Sequence, residues 1–310
     1  MTTTAAAAAC ISPTSTSYVS QYSVIAFQNL TSYSSIGNRT IVCGNLLNGA
    51  NFATAIQNIN QKSYTLEING STIGSNTINL NQGSLAVGPY PLNRLKKQSG
   101  NIQYIIDGTT YINVNQGNAG ATVQMDSNLP NRCASIISNI TYLSQSLSRL
   151  PPNNNATIPS GQQGPLIFTV NNVDANGIAV FNVSLTSVFG NTNIQQIQLN
   201  QLNSNIQLVV INLYGSRATW AGSNLVGNWF NNVALGQALT IWNFYQATSL
   251  TFGSSIQGTI LAPSAIVTLR SSHYGVVVAN TVYANAAVSS SSLPVFPDCV
   301  TAPGASAGQY

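Results

Sequence analysis

Residues 253–288 read GSSIQGTILAPSAIVTLRSSHYGVVVANTVYANAAV, a passage of β-branched and small residues with one Arg, one His and no acid. Within it, Gly258-Thr-Ile-Leu-Ala-Pro263 aligns with Gly275-Val-Val-Val-Ala-Asn280 at an offset of 17 residues, so glycine, apolar triplet, alanine and breaker fall into register. Short β-branched runs between breakers are strand signals, and near-repetition at a fixed offset is the mark of stacked coils. In such coils inward side chains form columns and small residues take the corners. The passage is apolar because one face is core, and repetitive because neighbouring coils resemble each other.

Outward from this stretch the same texture continues. Runs such as YSVIAF from Tyr22, TIVCGNLL from Thr40, IAVFNVSL from Ile178 and IQLVVINLY from Ile206 are punctuated by Gly or Asn. The expected fold is mainly β, an irregular β-helix or β-solenoid with inserted segments, because no strict period extends beyond the C-terminal echo. One segment departs from this pattern: Ile136, Ile140, Leu143, Leu147 and Leu150 are spaced by four and three, which puts them on one face of a helix. Pro151 and Pro152 end it. A single amphipathic helix over about 131–150 is therefore expected to cover the β body. The Ala-, Ser-, Thr-, Pro- and Gly-rich ends, 1–20 and 301–310, are expected to be tails around one domain at 21–300.

Charge narrows the function classes. Only 5% of residues are Asp, Glu, Lys or Arg, where globular domains average roughly 25%. Asparagine, at 39 residues, takes over the work of meeting water, and 44% hydrophobic content is enough to fold. The net charge of +4 is scattered, with one small cluster at Arg94, Lys96 and Lys97, so no nucleic-acid footprint is expected. No apolar run reaches the roughly 18 residues of a membrane span. MTTTAAAAAC lacks the basic and long apolar regions of a secretory signal; the low charge nonetheless suits an extracellular or cell-surface setting.

Candidate site residues are few. Cys10, Cys43, Cys133 and Cys299 lack zinc-site spacing. They allow three disulfide pairings, of which Cys43–Cys133 with Cys10–Cys299 is the expected set and buried free thiols the alternative. Asn-X-Ser/Thr occurs at Asn29, Asn38, Asn69, Asn139, Asn155 and Asn182, about as often as chance gives in so Asn-rich a chain. Asn155, beside the double proline, is the best exposed glycan candidate. Trp220, Trp229 and Trp242 could stack on sugars, although packing is the commoner use of such rings. The acids Glu67, Asp107, Asp126, Asp174 and Asp298 share no short motif, and His273 has no local partner. This counts against a polysaccharide-active enzyme. No catalytic residue, metal or cofactor is expected. His273 reads as an exposed turn residue or a ligand contact.

Trp242-Asn243-Phe244, Ala247-Thr248-Ser249-Leu250 and Gly258–Pro263 resemble the choice-of-anchor A domain of surface proteins, and YSVIAFQNL followed by GNRTIVCGNL is similar to that family's opening. The resemblance runs from about Tyr22 to Val288 and implies an extracellular adhesive or structural domain without catalytic residues. The family's usual C-terminal anchor has no counterpart in TAPGASAGQY. The expected function is therefore a non-enzymatic surface protein, the repeating subunit of a head-to-tail filament in which residues 11–20 add as a strand to the next copy. The alternatives are a monomeric adhesin for surface glycans or extracellular matrix, and then a β-helix enzyme. Ice binding is weaker still, because no Thr-X-Thr array runs along the sequence.

Overall fold

The computed structural model describes residues 10–11, 13–49, 51–57, 59–74, 77–89, 95–97, 103–108, 110–114, 120–201, 205–222, 224–290, 292–297 and 300. The chain winds into a parallel β-helix with three faces, A, B and C. On face A ten strands lie in the spatial order Val123–Met125, Ser84–Val87, Tyr64–Ile68, Thr40–Val42, Val24–Ser32, His273–Ala284, Ile256–Leu269, Thr240–Asn243, Leu208–Tyr214, Ile178–Ser184. The first strand in sequence therefore lies beside the last of these, at the middle. The N-terminal half winds outward from that seam, and the C-terminal half winds back to it from the opposite end.

The echo found in the sequence is real register, since Gly258 pairs with Gly275 and Ala262 with Ala279. Beyond a bulge Ile266 pairs with Thr281, so the offset shortens from 17 to 15. Elsewhere coil lengths vary, from His273 to Val288 at one extreme to Leu85 to Val123 at the other. Turns and insertions absorb the difference. Inside, Val, Ile and Leu fill the N-terminal half, while the C-terminal half closes around Phe168, Phe181, Phe189, Trp220, Phe230, Trp242, Phe244 and Phe252. Edge-to-face pairs such as Phe168–Phe181 at 5.0 Å and Phe189–Trp220 at 5.4 Å order that cluster.

Helix α2 (Leu129–Ser148) carries the chain from one end of the molecule to the other. Twenty residues span about 30 Å, most of the ~43 Å that ten strands occupy. Its contacts follow the strand order. Arg132 meets Glu67 at 2.6 Å, Cys133 is bonded to Cys43 with Cα atoms 5.4 Å apart, Ser144 meets Asn243 and Leu147 meets Asn212. The predicted apolar face, Ile136, Ile140, Leu143 and Leu147, is fully buried on the outer side of face A against Ile25, Ile41, Val278, Leu261 and Ile241. At the far end a buried amide ladder replaces apolar contact. Asn243 Nδ2 donates to Ser144 O (2.9 Å) and Asn212 Oδ1 (2.8 Å), and Asn212 Nδ2 donates to Leu147 O (2.8 Å).

Residues 13–19, within the segment expected to add as a strand to the next copy, are helical in the single chain. Pro13–Val19 is a helix, α1, placed against α2. Val19 and Tyr22 are buried in the same apolar layer, and Ser15 Oγ donates to Asn139 Oδ1. Packing of that apolar stripe outweighs the low helix propensity of a Ser- and Thr-rich run. Cys10 is disulfide-bonded, while Cys299, its expected partner, lies outside the described residues, as does the 301–310 tail. Ile11 N–H donates to Val300 O at 2.8 Å, so residues 11 and 300 lie side by side.

The end of the helix built from residues 156–226 is capped. On the outer edge of Ile178–Ser184, Val180 N–H donates to Asn153 Oδ1 (2.7 Å) and Asn153 Nδ2 donates to Ile178 O (2.9 Å), so one side chain takes the place of a strand. Ala156–Thr157 pairs antiparallel with Gly164–Val170 at the edge of the face C sheet. Helix α3 (Leu185–Phe189) packs beside Arg217–Trp220.

Two outcomes test this architecture. Gly258 and Gly275 stack at positive φ (101° and 150°), and a Cβ on Gly275 would stand 2.0 Å from Gly258 O. Gly275→Ala is therefore expected to cost more than ~2 kcal/mol in denaturant unfolding. Asn243→Ala strands a buried carbonyl and a buried amide, and should cost about 2–3 kcal/mol. A neutral result for Asn243→Ala would mean the amide ladder does not hold α2.

Candidate functional site

Face A is covered along its length. α2 and α1 lie on it, and residues 292–297 pack on it, with Ser20 Oγ donating to Pro294 O (2.6 Å) and Val295 N–H to Ala238 O (3.2 Å). Face B, made of Arg217–Trp220, Ser249–Phe252, residues 266–269, 281–284 and 29–32, carries no covering element among the described residues. Alternate residues of a strand point to opposite sides, so Trp220, Phe252, Leu269, Ala284 and Leu30 fill the core and their neighbours point outward.

Strand register assembles those outward residues into columns. One runs Thr219, Thr251, Thr268, Tyr283, Thr31. Beside it runs Arg217, Ser249, Ile266, Thr281, Asn29, in which Thr281 is buried. Ladder bonds from Gly253 N to Trp220 O, Arg270 N to Phe252 O, Asn285 N to Leu269 O and Tyr33 N to Ala284 O continue the pairing into a third column, Ala221, Gly253, Arg270, Asn285, Tyr33. Adjacent members of a column stand about 4.8 Å apart, and columns about 6.7 Å apart. Four of the five side chains in the central column are threonines. Three of these, from successive strands, are exposed or half-buried; Thr31 lies lower, at 5% exposure. Arg217 and Arg270 are the only charged side chains in the three columns. The result is a rigid, mostly neutral lattice of hydroxyl, amide and apolar groups.

The residues singled out in the sequence fall differently. Trp220, Trp229 and Trp242 are not stacking platforms. They are 4%, 0% and 0% exposed, and Trp229 Nε1 donates to Thr240 Oγ1 and Trp242 Nε1 to Gln257 O. Of the sequon asparagines, Asn155 and Asn182 are exposed. Asn38, Asn69 and Asn139 are half-buried with their Nδ2 groups donating to Ser290 O, Cys43 O and Ser135 O. Asn29 belongs to face B and accepts from Asn45 N–H. The threonine column lay hidden because its members come from five separate strands. No spacing along the chain announces it.

The acids serve structure. Glu67 accepts from Tyr22 Oη (2.6 Å) and Arg132, and Asp126 from Arg132, which fastens the first turns of α2 to face A. Burial, with Glu67 beside it, pushes the Tyr22 phenol well above its ordinary value, and the hydrogen bond from Arg132 holds Asp126 below the usual carboxylate range. Asp107 accepts from Thr72 N–H and Oγ1, and Asp174 from the N–H groups of Asn176 and Ile178. Asp298 lies outside the described residues. His273 is neither an exposed turn residue nor an accessible ligand contact. It is wholly buried at the first residue of His273–Ala284, where that strand lies on face C before passing onto face A, with Nε2 3.2 Å from Val276 O. No group of three metal-ligating side chains occurs among the described residues.

Residues 15–290 match the family model described as "Putative Ice-binding-like adhesive domain". Similar solved structures include an ice-binding protein from an Antarctic ascomycete, Antarctomyces psychrotrophicus, at 10% identity and TM-score 0.42, covering 87% of this chain and 95% of that one. An ice-binding protein from an Arctic yeast matches at 14% identity and TM-score 0.29, covering 92% and 97%. One from an Antarctic bacterium, Flavobacteriaceae, matches at 11% identity and TM-score 0.30, covering 90% and 81%. No curated protein matches. The adhesive character implied by the choice-of-anchor A resemblance agrees with the matched family; that narrower assignment goes beyond it.

Burial lowers the His273 pKa from 6.5 to about 4. The unfolded chain takes up this proton as pH falls below 6.5, and the folded chain only near 4. Stability is therefore complete above this window and declines as pH falls through it. The loss should total about 3 kcal/mol by pH 4. His273→Gln should flatten the pH profile of the melting temperature across that range, and an unchanged profile would remove His273 as its cause.

Proposed function

The chain belongs to the ice-binding-like adhesive domain family, and from that premise we propose that it is a non-enzymatic extracellular protein that adheres through face B to an ordered, repeating polar surface. Ice is the surface proposed first. The observation that carries this reading is the in-register column Thr219, Thr251, Thr268, which sets hydroxyl and methyl groups at one-strand intervals on a rigid support. Such a lattice meets a periodic surface at many points without mobile side chains to order, which keeps the entropic cost of binding low. The low charge supports the same reading, because adhesion then depends little on salt.

A head-to-tail filament remains the second reading. The helical state of residues 13–19 and the edge-covering groups at Asn153 and α3 weigh against strand addition as its mechanism. Rods in electron micrographs of purified protein would revive it.

The purified chain is expected to shape growing ice crystals and to slow their recrystallisation. Thr251→Lys places a hydrated charge in the central column of an open face, where stability should change by no more than ~0.5 kcal/mol. It should abolish both effects while leaving circular dichroism and melting unchanged. Folded wild-type protein that leaves ice growth unaltered would dismiss ice as the surface.

A further inference from the structure

Among the described residues, face C is interrupted beside Asn224–Val226. In the C-terminal half its sheet runs Ala156–Thr157, Gly164–Val170, Ile194–Gln201, Asn224–Val226 and then stops. On the other side the next strand segment begins at Ile256, which pairs with His273. Register from face B shows what is missing. Trp220 pairs with Phe252, so continuing both chains residue by residue would set Asn224 opposite Ile256 and Val226 opposite Gly258. No such pairing forms. The insertion that follows Val226 makes helices α4 (Asn228–Asn231) and α5 (Val233–Ala238). A Cβ on Gly258 would stand only 3.2 Å from Gly236 O, so α5 sits against the strand where a continued ladder would run.

The interruption leaves an open groove of about 520 Å³ at the corner of faces B and C. That volume is within the ~300–1,000 Å³ of small-ligand sites. Its lining includes the Ser254, Ser255 and Ser271 side chains, the amides of Asn224 and Gln257, and the ring of Tyr274, which is 40% exposed. Among the described residues, no charged side chain lines it. Ser255 and Ser271 hydroxyls lie 3.3 Å apart, while Gln257 Oε1 is buried on the side of Gly236 in α5 and is not presented to the groove.

We propose that this groove binds a short run of a neutral polysaccharide. Hydroxyl and amide groups offer donors and acceptors matched to sugar hydroxyls, and the tyrosine ring supplies an apolar wall for the C–H face of a pyranose. With neither cation nor carboxylate in the lining, the groove has nothing to select a charged ligand. The tryptophans that sequence reading offers for sugar stacking are core; Tyr274 takes that role on a rigid strand. The groove is separate from the threonine column, so the two proposals stand or fall independently.

Saturation-transfer NMR of the full chain with cellotriose, mannotriose, maltotriose and triacetylchitotriose tests it. At least one trisaccharide should receive saturation from the wild-type protein. Tyr274→Ala should weaken that binding about tenfold, Tyr274→Phe should retain it, and Ser271→Trp, which fills the groove from its rim, should eliminate it. Thr251→Lys should leave it intact, which separates failure here from failure of the ice reading. Absence of transfer to all four sugars, or undiminished binding in folded Tyr274→Ala or Ser271→Trp, would overturn the assignment.

Discussion

The pairing of Val24–Ser32 with His273–Ala284 is the constraint on which the molecule depends. It joins residues some 250 positions apart, Val24 to Val277 and Ser32 to Ala284, and makes one continuous sheet from two half-helices. Neither half alone can satisfy its inner edge, since the edge strand of each is the partner of the other. Closing so long a loop is entropically costly before any contact rewards it. α2 reduces that difficulty by spanning most of the sheet as one stiff rod. It is held by a disulfide and the Arg132 ion pairs on the N-terminal half, and by the Ser144–Asn243–Asn212 network on the C-terminal half.

The same arrangement distributes exposure. Because the crossing helix must lie somewhere, face A is buried on both sides, and its strands are correspondingly apolar except where a buried polar side chain meets a partner, as Asn212 does within Leu208–Tyr214. Faces B and C must meet water with almost no charge available. They do so with side-chain ladders running across the strands. Asn79 Nδ2 donates to Asn51 Oδ1 (3.0 Å), Asn113 Nδ2 to Asn79 Oδ1 (3.2 Å), and Gln195 Nε2 to Gln163 Oε1 (2.8 Å). In-register stacking lets identical amides satisfy one another, which explains how 39 asparagines serve a chain with 5% charged residues.

What the sequence made legible follows from what is local. The apolar spacing of α2 needs only 3.6-residue periodicity, and the Gly258/Gly275 echo survives because those coils carry no insertion. The rest depends on register, which is set by three-dimensional pairing. Trp220 and Thr219 are neighbours in sequence, yet one fills the core and the other stands in the central outer column, and only the parity of the strand separates them. His273, placed after Arg270-Ser271-Ser272 and two residues before Gly275, resembles a turn residue and is instead the first inward position of a strand. α1 escaped notice because a seven-residue Ser/Thr segment has no helical signal of its own, and its conformation comes from the surface it covers.

The way the helix ends bears on what the molecule can engage. A parallel β-helix presents unpaired backbone at each terminus, a template for further strands unless it is blocked. At the end built from residues 156–226 the blocking groups are an asparagine side chain that imitates a neighbouring strand, a short antiparallel strand and a packed helix. All three satisfy the edge within the chain itself, so growth along the axis at this end would first have to displace them. What is left for recognition lies on the flanks, in the open lattice of face B and the break that α4 and α5 force into face C. The insertion that thickens the aromatic core, by bringing Phe230 against Trp242 at 6.2 Å, also prevents Asn224–Val226 from pairing onward. Core filling and groove formation are thus two consequences of one lengthened coil.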